Sequence, residues 1–565
     1  MISNTNSEER IVHPLKKSCP SRIILSQRYL VYKVCGVIRN VLLLSALGFA
    51  QTALAQTQVE RLTQGLTERV SFDVNSFVIS GDNPLSEFAA QEILKPYLGE
   101  ARGIDDIKQA ADSFEQTLSD SGFSFYRVTF PPQELSDGTV ELLIKRYQIG
   151  EVKITGNKHH SDANIKASMP LLLAGEAPST RRIAKALRVA NQSPIKRIRV
   201  SLAPGTQPNE INANLAVVDQ APLSMSAWLN NTGNKVSGDY RVGASVAHRN
   251  LFGRDHQASL TFITSPEGVD DVQQFAANYR IPLYQLGGSL SFTAVKSDID
   301  TGTVAEVFEV AGKGEVYNAG YSHELGSIGR YHHRVAVQLS DKLFDNDVQF
   351  LGQQVLEDVR SRPLTINYSG SWGNGKAVEW SGFASYTANQ SGGSFNNARS
   401  YNVSRIGAVD NWSKIELGVS YRYTARNWLY SGVVKYSATS DRLITGEQFA
   451  VGGANNLRGL NERELRGDEG YLVNLQAWAP PITKTLRAVL FADIARLENN
   501  RAVNDEYLTE NVSAVGVMMN WNPSSKISAS ASYGYLLDGI DGATDPTTAS
   551  LDGDGKLHFN FSYRF

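Results

Sequence analysis

The chain has 565 residues, and its 55 Lys and Arg residues nearly balance its 57 Asp and Glu residues. This length exceeds one ordinary core, so we expect more than one structural unit. The charge balance gives no electrostatic support for a nucleic-acid partner, which would favour a basic surface. The composition fits a soluble enzyme and equally a transmembrane barrel, whose strands alternate apolar and polar residues.

The N-terminal segment has the pattern of a secretory signal. Basic residues precede a short apolar run, Val41–Ala50, and small residues follow at Ala53 and Ala55. The run is about half of the roughly 20 residues that a membrane-spanning helix needs, so a cleaved leader is favoured over an anchor. Residues 1–55 are predicted to be a signal peptide with an extended leader, or with a misassigned start codon.

Both cysteines, Cys19 and Cys35, lie inside this leader. The exported chain would therefore carry no disulfide and no cysteine-based metal or nucleophilic site. Residues 56–71 are polar and predict a short helix or a disordered lead-in. The rest of the chain has no apolar run long enough for a membrane-spanning helix, so any membrane span must be built from strands.

Residues 72–146 and 147–221 carry the same predicted order of elements, which is strand, helix, helix, strand, strand. In the first segment one helix begins after Ser86, a favoured capping residue, and another begins near Ile104 and ends near Gly122. An internal repeat of this size indicates two tandem α/β domains.

From residue 222 onward helical periodicity disappears, and alternating segments of about ten residues follow one another to the C-terminus. In the segment Lys526–Tyr535 serines share one face and apolar residues share the other. A soluble sandwich also alternates. A barrel is favoured by the alternation of short and long connections, such as Asn522–Ser525 and Asp538–Lys556.

The C-terminal strand supports the barrel as well, because its apolar stripe ends in Tyr563 and Phe565 and would be a sticky edge in water. About sixteen or seventeen segments can be counted, and sixteen is taken because such barrels use an even number of strands. One segment between Ser361 and Asn427 is therefore taken as misassigned.

Two motifs in residues 222–565 resemble those of the two-partner secretion transporters (TpsB), outer-membrane proteins that combine POTRA domains with a barrel. One lies at about residues 440–470 and resembles that superfamily's loop six motif, and the other lies in the strand Val489–Ile494. The residues that carry the resemblance are Gly452, Gly453, Leu457, Arg458, Gly459 and Leu460 in the loop, and Phe491 and Asp493 in the strand.

The resemblance implies that loop six folds back into the lumen and that Arg458 pairs with Asp493. The residues agree, because a charge in an otherwise apolar strand should face the lumen and be paired. The planar guanidinium also suits a carboxylate. On spacing alone Arg458 would be an ordinary charge on an outer loop. Leu457 and Leu460 depart from the family pattern, which has Val and an aromatic residue there.

Further residues resemble the POTRA signature and the C-terminal assembly signal of these barrels. The signature residues are Gly122, Phe123, Pro131, Pro132, Gln133 and Gly138 in the first repeat and Gly156 and Asn157 in the second, and the assembly signal is Tyr563 and Phe565. The predicted fold is thus a transmembrane β-barrel of about 16 antiparallel strands preceded by two α/β POTRA domains. The short segment before residue 72 leaves little room for a plug helix.

The resemblance implies a transporter that recognises a large exoprotein, typically a β-helical adhesin or cytolysin, through periplasmic POTRA domains. It would secrete this exoprotein through the barrel without ATP, drawing on folding outside the cell. Its other partners would be outer-membrane lipid and the barrel assembly machinery during biogenesis. The alternatives are an assembly or insertion factor of the same superfamily, which usually has more POTRA domains, and a passive porin.

An enzyme is disfavoured, because the sequence has no nucleophile elbow, P-loop or zincin motif, and no cofactor is predicted. The pairs His159-His160 and His332-His333 are interpreted as surface residues rather than metal ligands. The run Asp552–Gly555 resembles a calcium loop but lacks the later glutamate, so a solvated outer loop is favoured.

Overall fold

The fold is taken from a computed structural model of the chain. It describes residues 71–565 apart from short gaps, which are 136, 234–236, 299–301, 305–307, 311–312, 346–348, 351–352, 355–356, 374, 376, 504–505 and 542–548. The predicted leader, both cysteines and nearly all of the lead-in lie outside the described residues. The chain divides into two compact units. The first contains the residues up to Val78 together with Phe88–Asp112 and Phe130–Glu141. The second contains Ile79–Glu87, Ser113–Thr129 and Leu142–Phe565.

The first α/β segment contains both predicted helices. Its elements are β1 Ser71–Val74, β2 Ser76–Gly81, α1 Glu87–Leu94, a 3-10 turn Lys95–Tyr97, β3 Gly99–Gly103, α2 Ile104–Asp120, β4 Tyr126–Thr129 and β5 Thr139–Arg146. Strands β2, β5 and β4 form a sheet in that order. Strand β3 was not predicted, and it pairs with β1.

Helix α2 forms because its apolar residues recur every three or four positions, and Ile107, Phe114 and Leu118 are buried. It ends at Asp120, two residues before Gly122, near which its end was predicted. Gly122 has a φ of +98°, and the following Phe123 N–H donates to the Leu118 carbonyl at 2.8 Å. This left-handed residue closes the last turn.

The second α/β segment repeats the predicted order. Its elements are β6 Gln148–Thr155, α3 Asp162–Ser168, α4 Thr180–Ala190, β7 Lys196–Pro204 and β8 Glu210–Asp219. Strand β8 lies in the centre, parallel to β6 and antiparallel to β7. The two helices cover one face of this sheet, around a core that includes Ile149, Ile165, Ile183 and Leu215.

A closed barrel of 16 antiparallel strands follows, and the predicted fold class is confirmed for the residues the structure describes. The strands are β9 Leu223–Asn230, β10 Arg241–Leu251, β11 His256–Ser265, β12 Gly268–Leu283, β13 Gly288–Ser297, β14 Gly314–Ile328, β15 Tyr331–Phe344, β16 Val359–Ser361 with Pro363–Gly373, β17 Val378–Asn389, β18 Ser413–Ala425, β19 Trp428–Ala438, β20 Glu469–Trp478, β21 Leu486–Glu498, β22 Thr509–Trp521, β23 Ile527–Asp538 and β24 Gly555–Arg564. Both parts of β16 pair with β15.

The barrel alternates as its sequence predicts. Leu490, Val517, Tyr533 and Leu557 are cross-strand neighbours on β21 to β24, and all four are exposed on the outer face. The next row contains residues that face the lumen. These are Phe491, Gly516, Gly534 and Lys556.

One expectation was wrong, because helical structure does not disappear after residue 222. A short helix, α5, spans Ala398–Ser404 in the connection between β17 and β18, and a 3-10 turn spans Thr445–Glu447. The side chain of Asn397 caps α5 by accepting from two backbone N–H groups, and Tyr401 is fully buried. Fewer than two helical turns leave no readable periodicity. This helix lies in the region where one segment was taken as misassigned.

Three short hairpins lie in the connections between barrel strands. They pair Gly302–Val304 with Phe308–Val310, Gln349–Phe350 with Gln353–Gln354, and Phe449–Val451 with Leu465–Gly467. In the part of the chain that the structure covers, none of the helices combines the length and the apolar character of a membrane span.

Pairing between β24 and β9 closes the barrel. It runs from Asn560 opposite Asn230 to Arg564 opposite Ser226. The backbone N–H of Phe565 donates to the Met225 carbonyl at 3.0 Å, so the terminal residue continues the seam.

Val517→Arg should lower the free energy of unfolding by about 2–4 kcal/mol, because it places a guanidinium on the lipid-facing side of a membrane strand. Ser530→Arg is the control, since that side chain points toward the lumen from the neighbouring strand and should cost less than about 0.5 kcal/mol. Urea unfolding in lipid vesicles, followed by tryptophan fluorescence, measures both. Equal effects would contradict the assignment of the two faces.

Candidate functional site

The connection between β19 and β20, residues 439–468, contains the loop six motif and is called loop six from here on. It folds into the barrel. Its tip, defined here as residues 452–464, carries Leu457 and Leu460, which are fully buried. They belong to one apolar cluster with Leu472 on β20, Leu497 on β21 and Leu536 on β23. Because these partners lie on the inner face of neighbouring strands, the tip occupies the lumen.

Arg458 and Asp493 meet at the centre of this contact. The guanidinium donates from Nε to Oδ2 at 2.8 Å and from Nη2 to Oδ1 at 2.6 Å. The backbone N–H of Arg458 adds a third bond to Oδ2 at 3.2 Å. Arg458 is 3% exposed and Asp493 is 0% exposed. This two-pronged geometry is the strongest form of such a pair.

Two neighbours complete the loop-six clamp, the name used here for Arg458, Asp493, Asn474 and Phe491. The Asn474 amide donates to Asp493 Oδ1 at 2.8 Å and to the Asn456 carbonyl at 2.5 Å, so it joins the strand to the tip. The Phe491 ring lies under the guanidinium, with 3.5 Å between the ring centroid and Cζ. A desolvated cation over an aromatic face gains further electrostatic energy.

Glycines on both sides of the contact make the close approach possible. A Cβ at Gly459 would strike Leu536, and a Cβ at Gly534 on β23 would strike the Arg458 carbonyl group. Gly452 and Gly453 have φ values of +120° and +106°, which suit glycine and turn the chain into the tip.

Charged residues also hold the two limbs of loop six, which are the parts before and after its tip. These contacts lie at the outer rim, the end of the barrel where loop six leaves β19 and enters β20. Glu447 accepts from Lys342 Nζ at 3.0 Å and from Ser361 Oγ at 2.8 Å. Asp468 accepts from Arg405 Nη1 at 2.5 Å and from the backbone N–H of Asn500 at 2.8 Å. Loop six is therefore anchored at both limbs as well as at its tip.

The POTRA signature residues have structural roles in their own segments. The Gln133 amide donates to the Glu141 carbonyl at 2.8 Å and accepts from its N–H at 2.6 Å. Pro131 and Pro132 precede it and offer no N–H of their own. The Gly138 carbonyl accepts from the Asn75 N–H at 2.7 Å.

In the second segment, a left-handed turn follows β6. Gly156 has a φ of +84°, and a side chain there would strike the Val217 carbonyl. The Asn157 amide donates to the His160 carbonyl at 2.8 Å and to Asp162 Oδ1 at 2.9 Å.

The interpretation of His160 as a surface residue was wrong. It is 3% exposed, and its Nδ1 lies 2.9 Å from Asp219 Oδ2. His332 is exposed, and His333 contacts the Tyr368 hydroxyl at 3.0 Å. The run Asp552–Gly555 is exposed. Nowhere among the described residues do three or more His, Cys, Asp or Glu side chains gather in a way that could hold a metal ion.

Comparison with known proteins identifies the family. The sequence model of the haemolysin secretion/activation proteins ShlB/FhaC/HecB matches residues 209–519, and that of the ShlB-type POTRA domain matches residues 72–145. The chain belongs to this family. It is therefore an outer-membrane transporter of the two-partner secretion type, with POTRA structure in the periplasm, and it secretes a partner exoprotein through its barrel.

Relatives and solved structures agree with this assignment. The outer membrane transporter CdiB of Escherichia coli O6:K15:H31 (strain 536 / UPEC) is 22% identical over 464 residues, which are 78% of this chain and 75% of the relative. The heme/hemopexin transporter protein HuxB of Haemophilus influenzae is 22% identical over 402 residues, 68% of each chain. The structures of CdiB from Escherichia coli and from Acinetobacter baumannii match with TM-scores of 0.69 and 0.65 at 16% and 14% identity, each covering 91% of this chain and 98% of the other. At these identities they establish the fold.

Sequence reasoning missed Asn474, Gly516 and Gly534 as parts of the site. Asn474 lies directly opposite Asp493, and a Cβ at Gly516 would strike the Phe491 ring. The strand registers that bring these residues together are not readable from the sequence. A small residue on the inner face of a strand was the only available signal.

Gly534→Ala should loosen the tip, because the added methyl group meets the Arg458 backbone and overpacking of this kind costs about 1–3 kcal/mol. Gly432→Ala is the matched control, since a Cβ there has ordinary contacts only, the nearest at 3.4 Å. The expected result is faster protease cleavage of loop six in intact cells for Gly534→Ala alone. Identical cleavage rates in both variants would contradict this packing.

Proposed function

We propose that the tip of loop six is the gate of this transporter and that the loop-six clamp holds the gate in its resting position. The observation that carries the proposal is the buried, two-pronged pair between Arg458 and Asp493. Removing one partner of a buried ion pair costs about 3–5 kcal/mol, because the other charge is left uncompensated. The clamp therefore favours one position of the tip strongly, while both limbs stay anchored at the rim.

We further propose that the periplasmic part consists of two POTRA domains, residues 72–146 and 147–221, with the barrel at 222–565. Capture of the exoprotein begins around Ile104–Phe130 in the first domain. Strand β4 lies at an edge of its sheet, and an extended segment can add to such an edge. Ile104 and Phe130, at the two ends of this range, are exposed and could offer apolar contacts to the exoprotein.

The exoprotein is proposed to be large and β-helical, of the adhesin or cytolysin type. Because the periplasm offers no ATP, its folding outside the cell supplies the direction of transport. Tyr563 and Phe565 are proposed as the signal that the barrel assembly machinery reads during biogenesis, and lipid covers the exposed outer row. No enzymatic activity is proposed.

The alternative is a factor that assembles or inserts other outer-membrane proteins. A deletion strain distinguishes the secretion transporter from the assembly factor, because the strain loses different proteins in the two cases. The culture-medium proteome of the deletion strain, compared with that of its parent, should lack one large secreted protein. An unchanged medium together with depleted outer-membrane barrels would favour the assembly factor instead.

Arg458→Ala should reduce secretion of that exoprotein at least about tenfold while the barrel still assembles, because Asp493 loses its counter-charge and the tip loses its resting position. Arg422→Ala is the control, since Arg422 forms an exposed pair with Glu379 at 3.4 Å, and exposed pairs contribute little. Secreted protein is quantified by immunoblot, and barrel assembly by heat-modifiable migration in gels. If the Arg458→Ala variant secretes as much exoprotein as the parent, the proposal that the tip of loop six is a gate is contradicted.

A further inference from the structure

A group of buried polar side chains joins the second α/β segment to the barrel, inside the second compact unit. Asp255 ends the turn between β10 and β11, and Tyr284 follows β12. Because the POTRA structure is periplasmic and the chain enters β9 from it, these turns are at the periplasmic end. Lys196 begins β7, Asp219 ends β8, and His160 lies in the turn after β6. These five residues are called the junction cluster.

Asp255 is the centre of the junction cluster. Its Oδ2 accepts from Lys196 Nζ at 2.5 Å and from the Tyr284 hydroxyl at 2.6 Å. Its Oδ1 lies 3.6 Å from His160 Nε2. Lys196 is 0% exposed and Asp255 is 1% exposed, so the pair is shielded from solvent.

On the α/β side, the residues of the junction cluster are also held in place by contacts that do not involve Asp255. Asp219 accepts backbone N–H groups of Lys158, His159 and His160 at 2.8–2.9 Å. Burial works against the charged form of this carboxyl, but these bonds and the His160 side chain outweigh it and hold its pKa at about 2. Asp219 is thus a fixed anion that orients the His160 ring.

The turn that carries Asp255 is held in an unusual conformation. Phe252 and Asp255 both have φ values of +59°, a region that costs energy for residues other than glycine. The Asn164 amide on α3 donates to the Gly253 carbonyl at 2.6 Å, and Asn250 Oδ1 accepts from the Asp255 N–H at 2.9 Å. Hydrogen bonds therefore hold the turn from two sides, one from the α/β segment and one from Asn250 on its own strand β10.

A second contact lies along α4. Lys185 Nζ is 2.8 Å from His323 Nε2, and the Gln192 amide donates to Glu324 Oε1 at 2.7 Å. Gln192 Oε1 also accepts from Arg280 on β12. One contact would act as a pivot, whereas two separate contacts fix an orientation.

Buried ions are a weak source of stability, because desolvation offsets their attraction, but their bonds are directional. Apolar packing alone would tolerate sliding of the segment across the turns. We propose that Asp255 is a positioning residue for export, which keeps the second α/β segment locked to the periplasmic turns so that a captured exoprotein is passed to the lumen at one fixed place. The export part of this inference rests on the proposed function.

Cysteines at positions 164 and 253 test the lock directly, because the Asn164 side chain contacts the Gly253 backbone and the only native cysteines lie in the predicted leader. A Cβ at Gly253 has no heavy atom within 4 Å, so a short, reducible bis-methanethiosulfonate cross-linker is used instead of a direct disulfide. In the full-length transporter in membranes, this reagent should join Asn164→Cys to Gly253→Cys readily. Adding Asp255→Ala should slow this cross-linking about tenfold or more, because Lys196 loses its counter-charge. Arg254→Ala, at the exposed neighbouring position, should leave the rate unchanged. An unchanged rate in Asp255→Ala would overturn the lock, whatever the protein transports.

Secretion then tests the role in export. The double-cysteine transporter should secrete equally before and after cross-linking, since the cross-link keeps the segment on the turns. Adding Asp255→Ala to it should lower secretion, and the cross-link should restore secretion until a reductant is added. Blocked export on cross-linking, normal export with Asp255→Ala, or a loss that the cross-link does not reverse would each overturn the proposal. If the Asp255→Ala variant does not assemble, the effect of the cross-link in the double-cysteine transporter still decides. If the parent secretes no exoprotein, the proposed function is wrong. The cross-linking rates still test whether Asp255 holds the second α/β segment to the periplasmic turns.

Discussion

A carboxylate in a membrane strand must face the lumen and must be paired, and this constraint organises the barrel interior. Asp493 satisfies it only because loop six brings Arg458 back through the outer mouth. The loop can reach that depth because glycines on β22 and β23 leave space and because Leu457 and Leu460 fill the surrounding apolar surface. The tip, the clamp and the lumen-facing row thus form a single arrangement.

Similar buried pairs recur at both ends of the barrel, with different consequences. At the outer rim, Arg405 and Arg442 share Glu506, and Arg405 also binds Asp468, which links three neighbouring connections. At the periplasmic end, Asp255 ties the turns to the α/β segment. Between these fixed regions, the tip is held by the Arg458–Asp493 pair, by apolar packing and by hydrogen bonds from Asn474 to the Asn456 carbonyl and from Lys556 to Asn461. Movement on release of these contacts would therefore be confined to the tip.

Sequence patterns predicted the barrel, the strand number and the repeated α/β order, because alternation and helical spacing are local properties. Arg458 and Asp493 were identified together only through their resemblance to a known motif pair. Strand β3 and helix α5 are too short for periodicity to reveal. His160 was misjudged because its burial depends on Asp219 and Asp255, which are distant in sequence. Asn474 and Gly516 depend on strand register in the same way.

The amide of Gln133 replaces a backbone pairing next to two prolines, and this gives the position an unusual chemical requirement. It must donate and accept toward Glu141 at once. Glutamate has the same shape but, when ionised, only accepts, so it would turn its second oxygen toward the Glu141 carbonyl. Hydrolysis of the amide by slow deamidation would make that change without any mutation. The periplasmic segment therefore contains a site at which chemical ageing of the protein would break a sheet contact.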